Sequence, residues 1–184
     1  ANVRDKEALK VIKEVAIKDV IIDFRSSDMF YYSEKLKKAQ YDLDEEYYRP
    51  YFEQESVLNG FFDFLHQMFN IKFTKVDVPS WDEKVRVYDL SENDKTMARI
   101  YIDLEARKDK RGGAWMNNWH SHYKTSDGEI KLPTAYIVGN FPQSTKDTAS
   151  LLRHSDVVTL FHEMGHALHH LLSKVEEPFV SGIS

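Results

Sequence analysis

Phe161-His162-Glu163-Met164-Gly165-His166-Ala167-Leu168-His169 is the stretch on which the reading of this chain turns. At 100° per residue, His162 and His166 fall on one side of a helix, with Glu163 toward the edge of that polar face. Val157, Leu160, Phe161, Met164, Leu168, Leu171 and Leu172 fall on an opposite, apolar stripe. Ser155 or Asp156 is a good N-cap and Pro178 lies beyond the last periodic residue, so the pattern predicts a helix from there to about Lys174. Such a helix buries one side and offers its His/Glu side to a cleft.

His-Glu-x-x-His is the spacing with which two imidazoles grip one zinc ion while the intervening glutamate handles protons on a bound water. That chemistry assigns His162 and His166 as metal ligands and Glu163 as general base. A catalytic zinc needs a third protein ligand, and the helix does not provide one. His169 stands about 20° around from His162 but roughly 10 Å along the axis, and His170 fails for the same reason. The metzincin pattern would require Gly at 169 and His at 172, where this chain has His169 and Leu172. Glu176 and Glu177 follow too closely to fold back without a break, and His154 reads as a loop histidine. His120 and His122 flank Ser121 on a basic connection, where a surface role or a substrate contact both stand. Gly165 inside a helix costs about 1 kcal/mol relative to Ala, which suggests close approach by another element.

The chain has 184 residues, enough for one domain with a real core, and 42% apolar residues with ten Tyr, eleven Phe and three Trp argue against disorder. A net charge of −5, mild and interspersed, gives no nucleic-acid-binding face. The absence of cysteine excludes disulfides and thiolate metal sites, and no apolar run reaches the length of a membrane span, so a soluble, cytoplasmic protein is expected.

Residues 5–75 read as helical. Leu9, Ile12, Val15, Ala16 and Val20 recur at threes and fours, residues 33–39 suit a surface helix, and Val57, Leu58, Phe61, Phe62, Leu65, Met68 and Phe69 mark a strongly packed one. From about Ile71 the texture becomes β-branched and aromatic. Residues 84–90 and 97–105 read as a hairpin around the Ser91–Asp94 turn, and Thr134–Asn140 as a third strand. Between them, residues 107–131 form a Gly-containing basic connection. Its Arg107, Lys108, Lys110 and Arg111 read as a solvated loop, with attraction of a peptide carboxylate as the alternative.

At this point the chain resembles the thimet-oligopeptidase family of zinc peptidases, nearest its oligopeptidase A and peptidyl-dipeptidase branch. The resemblance rests on Phe161 to His169, on Arg107 and Lys110-Arg111-Gly112-Gly113-Ala114-Trp115-Met116, and on Tyr136-Ile137-Val138-Gly139-Asn140-Phe141-Pro142. Tyr31 to Leu36 and Arg49-Pro50-Tyr51-Phe52 also correspond to family segments. It implies a zinc-dependent peptidase for short unstructured peptides, working at the floor of a deep channel, and this chain looks like the middle portion of the longer family sequence. It also implies that the third zinc ligand, a glutamate C-terminal to the second histidine, falls past Ser184. In such sites an extended peptide adds as a strand to a sheet edge, and Gly112, Gly113 and Ala114 are the candidate substrate contacts. A simple turn at Gly112-Gly113 is the equal alternative.

The expected architecture is α+β and predominantly α-helical: N-terminal helices over residues 1–75, then a small antiparallel sheet with the zinc-motif helix over 76–184, together one structural unit of a larger, mostly helical fold. Zinc is the expected cofactor and short peptides the expected partners, with neither nucleic acid nor membrane. The competing reading is a non-enzymatic helical binding or scaffold module in which the His/Glu face is incidental.

Overall fold

Asn93 and Asp94 form a tight turn, with φ of 50° and 60°. Positive φ at both central residues is what a two-residue type I′ hairpin requires, and Asn and Asp tolerate it better than most residues. In the computed structural model this turn joins β2 (Arg86–Glu92) to β3 (Lys95–Glu105), with Glu92 paired to Lys95. The hairpin expected over 84–90 and 97–105 is present, shifted by about two residues at its first strand. The structure describes residues 10–14, 28–41 and 45–175. The chain divides into two compact units, Ala1–Tyr47 and Tyr48–Ser184.

In the first unit, residues 10–14 are helical and α1 spans Asp28–Tyr41. Ile12 and Tyr32 are buried together, with Met29 and Leu36 packed against them. The other periodic positions expected there, Leu9, Val15, Ala16 and Val20, lie outside the described residues, as do Glu176, Glu177 and Pro178. A one-turn helix, α2 (Glu45–Tyr48), follows α1 in sequence.

The second unit is built on five strands in the order β1-β2-β3-β7-β4, with β1 at Ile71–Val76, β4 at Trp115–His120 and β7 at Thr134–Phe141. A separate two-stranded ribbon joins β5 (Tyr123–Lys124) to β6 (Ile130–Lys131). Pairs β1–β2, β2–β3 and β4–β7 are antiparallel, whereas β3 and β7 run parallel. The expectation of a predominantly helical chain with a small antiparallel sheet is therefore overturned: the sheet is mixed, larger than expected, and carries the core. Two strands account for the difference. β1 alternates Ile71 and Phe73 with Lys72 and Thr74, and the helix over Gln54–Phe69 stops just before it at Asn70, whose φ of 55° caps it in the left-handed region. β4 lies inside what reads as a basic connection.

Two helices cover one face of the sheet. α3 (Gln54–Phe69) starts at Glu53, whose carboxylate accepts from the N–H groups of Glu55 and Ser56 at 3.1 and 2.8 Å, satisfying first-turn donors. It buries Leu58, Phe61, Phe62 and Leu65. α4 (His154–Leu171) buries Leu160, Met164, Ala167 and Leu171 in the same core, together with Ile100, Ile102, Ala135 and Ile137 from the sheet. The rings of Phe61 and Phe161 meet edge-to-face at 4.5 Å, joining the two helices. The entry to α4 is clamped from the segment before α3. Leu152 donates its N–H to the Phe52 carbonyl (2.8 Å), the Gln54 N–H goes to Ser150 (2.9 Å), and Arg49 Nε reaches the Leu151 carbonyl. Among the described residues no helix is long and apolar enough to cross a membrane.

Side chains on strands alternate faces, so Tyr101, Trp115, Trp119 and Tyr136 stand on the opposite side of the sheet. There Trp119 contacts Tyr136 (4.7 Å), Tyr101 (4.8 Å) and Trp81 (5.5 Å), and Trp115 meets Tyr136 at 5.7 Å. On the same side, at the end of β3, Asp103 is 2% exposed and accepts from Arg107 (2.7 and 2.8 Å), Lys110 (2.8 Å) and Trp81 Nε1 (2.8 Å). Lys110, whose side chain is 5% exposed, also donates to the carbonyls of Asp103 and Glu105. Arg107 and Lys110 thus correct the reading of 107–111 as a solvated basic loop: they fold back on β3 and fix the chain as it turns toward β4. The next acidic residue, Glu105, accepts from Lys84 and from the N–H and hydroxyl of Ser144.

Burial pushes the carboxyl groups of Asp103 and Glu105 up. The donors around them outweigh that effect and hold both below the ordinary carboxylate range. Burial also draws the Lys110 ammonium below the ordinary lysine range, against the attraction of Asp103. Native carboxyl values lower than unfolded ones mean stability that is complete above pH about 5 and is lost as pH falls through the native values. Acid titration followed by circular dichroism should show unfolding begin below pH about 4, and Glu105→Gln should flatten that dependence. Asp103→Asn leaves a buried ammonium uncompensated and should cost about 3 kcal/mol in urea unfolding. Adding Lys110→Met to that variant should recover part of the loss.

Candidate active site

The polar side of α4 follows from its apolar side. With Leu160, Met164, Ala167 and Leu171 fixed on the sheet, His162 and His166 are carried to the exposed side, one turn apart, and Glu163 is half-buried between them. The helix starts slightly earlier than the N-cap reading places it: Arg153 precedes its first turn, and the Asp156 carboxylate accepts the Arg153 N–H at 2.9 Å.

The two imidazoles meet edge-to-face with ring centroids 4.7 Å apart, and their Nε2 atoms are separated by 3.1 Å. A divalent zinc lies 2.0–2.1 Å from each nitrogen ligand, so two nitrogens at this spacing subtend an angle of about 100° at the ion, near the tetrahedral value. The donor pair therefore fits two positions of such a site. Among the described residues no third histidine, aspartate or glutamate joins them. His169 is exposed farther along the helix and His154 sits at its start with its ring against Phe52. His120 is exposed and His122 is half-buried, with its Nδ1 buried and lacking a hydrogen-bond partner among the described residues. Gly165 departs from its expectation: a Cβ there would meet nothing within 4 Å, so no described element approaches it. A groove of about 680 Å³ lies elsewhere, lined by Lys75, Lys84, Glu105 and Ser144 among others, and it does not include the histidine pair.

α4 lies against β7, β4 and β3. β4 is the last strand of the sheet, so one of its two edges carries no described strand. On it, the Asn118 N–H is taken up by the Asn117 side-chain oxygen at 2.8 Å, which ties up one backbone donor locally. Gly112, Gly113 and Ala114 immediately precede this strand. Gly113 has φ of +89°, a conformation that strains any other residue, and a Cβ at Gly112 or Gly113 would meet open space. The turn is held from below by Asn140, whose Nδ2 donates to the carbonyls of Arg111 (2.8 Å) and Gly113 (2.7 Å). Gly112 and Gly113 thus lie in a turn, as one of the two readings has it, and β4 begins beyond them at Trp115.

The residue that sequence reasoning missed is His170. It reads as a histidine too far along the helix to be a third ligand, but it is fully buried against β4, between the Asn118 side chain and the His120 carbonyl. Its place eight residues after His162 and three after the buried Ala167 was the available signal, obscured by the neighbouring His169.

The matched family model is that of peptidase family M3, over residues 4–184. Over 159 residues the chain is 40% identical to oligopeptidase A of Salmonella typhimurium, covering 85% of this chain and 23% of that protein. It is 38% identical to dipeptidyl carboxypeptidase of Escherichia coli over 84% of this chain and 23% of that protein. A thimet-like oligopeptidase of Dictyostelium discoideum is 34% identical over 88% of this chain and 24% of that protein. The chain thus spans about a quarter of the length of the curated relatives it matches. The resemblance drawn from the helix, the glycine turn and the Tyr136–Pro142 strand is shown by this match, and the chain belongs to peptidase family M3.

Proposed function

We propose that this chain carries the metal-binding helix, general base and substrate edge of a zinc-dependent peptidase that hydrolyses short, unstructured peptides. The observation that carries this reading is the convergence of His162 and His166 Nε2 to 3.1 Å on the exposed side of α4, in a peptidase-family chain whose neighbouring strand β4 has one edge without a described strand. His162 and His166 hold the ion, and a third ligand comes from outside the described residues; the family resemblance makes it a glutamate past Ser184. When bound, zinc supplies Lewis-acid polarisation of the attacking water and of the scissile carbonyl.

The remaining work falls to the chain itself. Glu163, one residue from His162, accepts the proton of the attacking water and delivers it to the leaving amine nitrogen. β4 offers backbone donors and acceptors to an extended peptide, which pairs as a further strand and so presents its main chain regardless of its side chains. The peptide displaces the Asn117 side chain from the Asn118 N–H as it does so. Gly112, Gly113 and Ala114 open the end of that edge, because two residues without side chains leave room for another backbone. Folded proteins have most of their backbone already paired, so an unstructured peptide offers such a strand more readily.

The full-length protein should hold one zinc per chain by atomic absorption, and His162→Ala should lose it. Glu163→Gln should retain zinc while hydrolysis of a quenched short peptide falls by about 10²-fold or more, within the range for removal of a general base. A full-length protein that binds no zinc, or whose hydrolysis survives Glu163→Gln, would refute the assignment. Residues 1–184 by themselves should show little or no turnover, since two protein ligands do not retain a catalytic zinc. Robust turnover by that segment would show that its third ligand lies within it.

A further inference from the structure

We propose that His170 is a positioning residue that fixes the metal-binding face of α4 against the peptide-accepting strand β4. The inference rests on the reading of His162, Glu163 and His166 given above, and it concerns a residue that touches neither ion nor peptide.

His170 is fully buried, and both of its ring nitrogens end on one strand. Nε2 lies 2.9 Å from the backbone carbonyl of His120, and Nδ1 lies 3.1 Å from the side-chain amide nitrogen of Asn118. A carbonyl can only accept, so Nε2 carries the hydrogen and donates. Nδ1 is then the bare nitrogen and accepts from the Asn118 amide. One neutral tautomer satisfies every polar atom of the ring, as a buried polar group requires.

Packing alone does not call for such a residue. The rest of the buried face of α4 is Leu160, Met164, Ala167 and Leu171, whose contacts are non-directional and tolerate a slide of the helix along the sheet. His170 adds two directional contacts at its last turn. Its partners flank the place where β4 leaves regular pairing with β7, between Asn118 and His120. Past that irregularity the His120 N–H goes to the Thr134 hydroxyl at 3.1 Å, and the His120 carbonyl is left for the helix. The strand is thus re-aimed where the helix is fastened to it. His166 and His162 lie one and two turns back, about 6 and 12 Å along the same axis. A shift at His170 therefore moves the histidine pair relative to the edge with little in between to absorb it.

The experiment uses the full-length protein and three variants: His170→Leu, His170→Gln and Asn118→Ala. Zinc content is measured by atomic absorption, hydrolysis of a quenched short peptide is expressed per bound zinc, and hydrogen–deuterium exchange is followed over residues 115–120. In His170→Leu, zinc should remain stoichiometric and KM should stay within about twofold, while kcat per bound zinc falls about tenfold or more, the scale of a misplaced reacting centre. Gln carries one donor and one acceptor on its amide and should restore most of that loss. Asn118→Ala removes one of the two contacts without altering the helix and should give a smaller fall, which keeps the test decisive if His170→Leu does not fold. Exchange over residues 115–120 should quicken in His170→Leu and return toward wild type in His170→Gln.

A residue with a merely structural role changes the number of folded molecules, not the turnover of each zinc-loaded one. Unchanged kcat per bound zinc in His170→Leu and Asn118→Ala, or no rescue by Gln, would therefore overturn the proposal while leaving the peptidase reading intact. A wild-type protein without zinc or hydrolysis would overturn both.

Discussion

The burial of Leu160, Met164, Ala167 and Leu171 against the central strands is the constraint from which the rest of the site follows. Leu160, Met164 and Leu171 each contribute roughly 1.5–3 kcal/mol on leaving water, so the rotational setting of α4 is strongly determined. Once that face is fixed, the 3.6-residue period leaves His162 and His166 no choice but the exposed side. The paired imidazoles need no separate stabilising force to face outward. Burial of the neighbouring residues makes the polar face available, and the clamp between residues 49–54 and 150–152 sets where the helix begins.

The other half of the site depends on charge rather than on apolar area. The chain leaves β3 and must return as β4 on the far side of β7, by a route containing two adjacent glycines and therefore little intrinsic stiffness. Lys110 and Arg107 supply the stiffness by closing on Asp103, and Asn140 holds the glycine turn through two carbonyls. Buried ion pairs are weak sources of net stability but strict about geometry. In this position strictness is the useful property, because the loop delivers β4, the last described strand of the sheet.

The sequence made some of this plain and hid the rest for identifiable reasons. The motif helix announced itself through a clean 3.6-residue stripe, and the β2–β3 hairpin through β-branched runs around Asn93-Asp94. β4 was concealed because Trp115-Met116-Asn117-Asn118-Trp119-His120 contains no Val, Ile or Thr and follows glycines that suggest a loop. The parallel pairing of β3 with β7 is a long-range choice that no local pattern records. The fold was therefore expected to be more helical than it is. Lys110 and Arg107 looked solvated because lysines and arginines usually are; Asp103, four residues before Arg107 and seven before Lys110, was lost in a run that otherwise reads as strand. His170 was hidden by its own neighbourhood, as one histidine among four over nine residues. What separates it from the others is burial, a three-dimensional property. For the histidine pair, the four-residue spacing of the motif was enough to foresee that the two rings meet on one side of the helix.

The aromatic patch on the far side of the sheet has an optical consequence. All three tryptophans of the chain belong to it: Trp115 and Trp119 lie on the edge strand itself, and Trp81 leans on Trp119. Trp81 and Trp119 are about half exposed, so their indoles sense both water and the strand's neighbours. The tryptophan fluorescence of residues 1–184 therefore comes from the patch around β4, on the face of the sheet away from the histidine pair. If a peptide pairs with that edge as proposed, it would change the tryptophan emission without touching the histidine face, an optical reporter of the proposed strand addition that needs no label and no turnover.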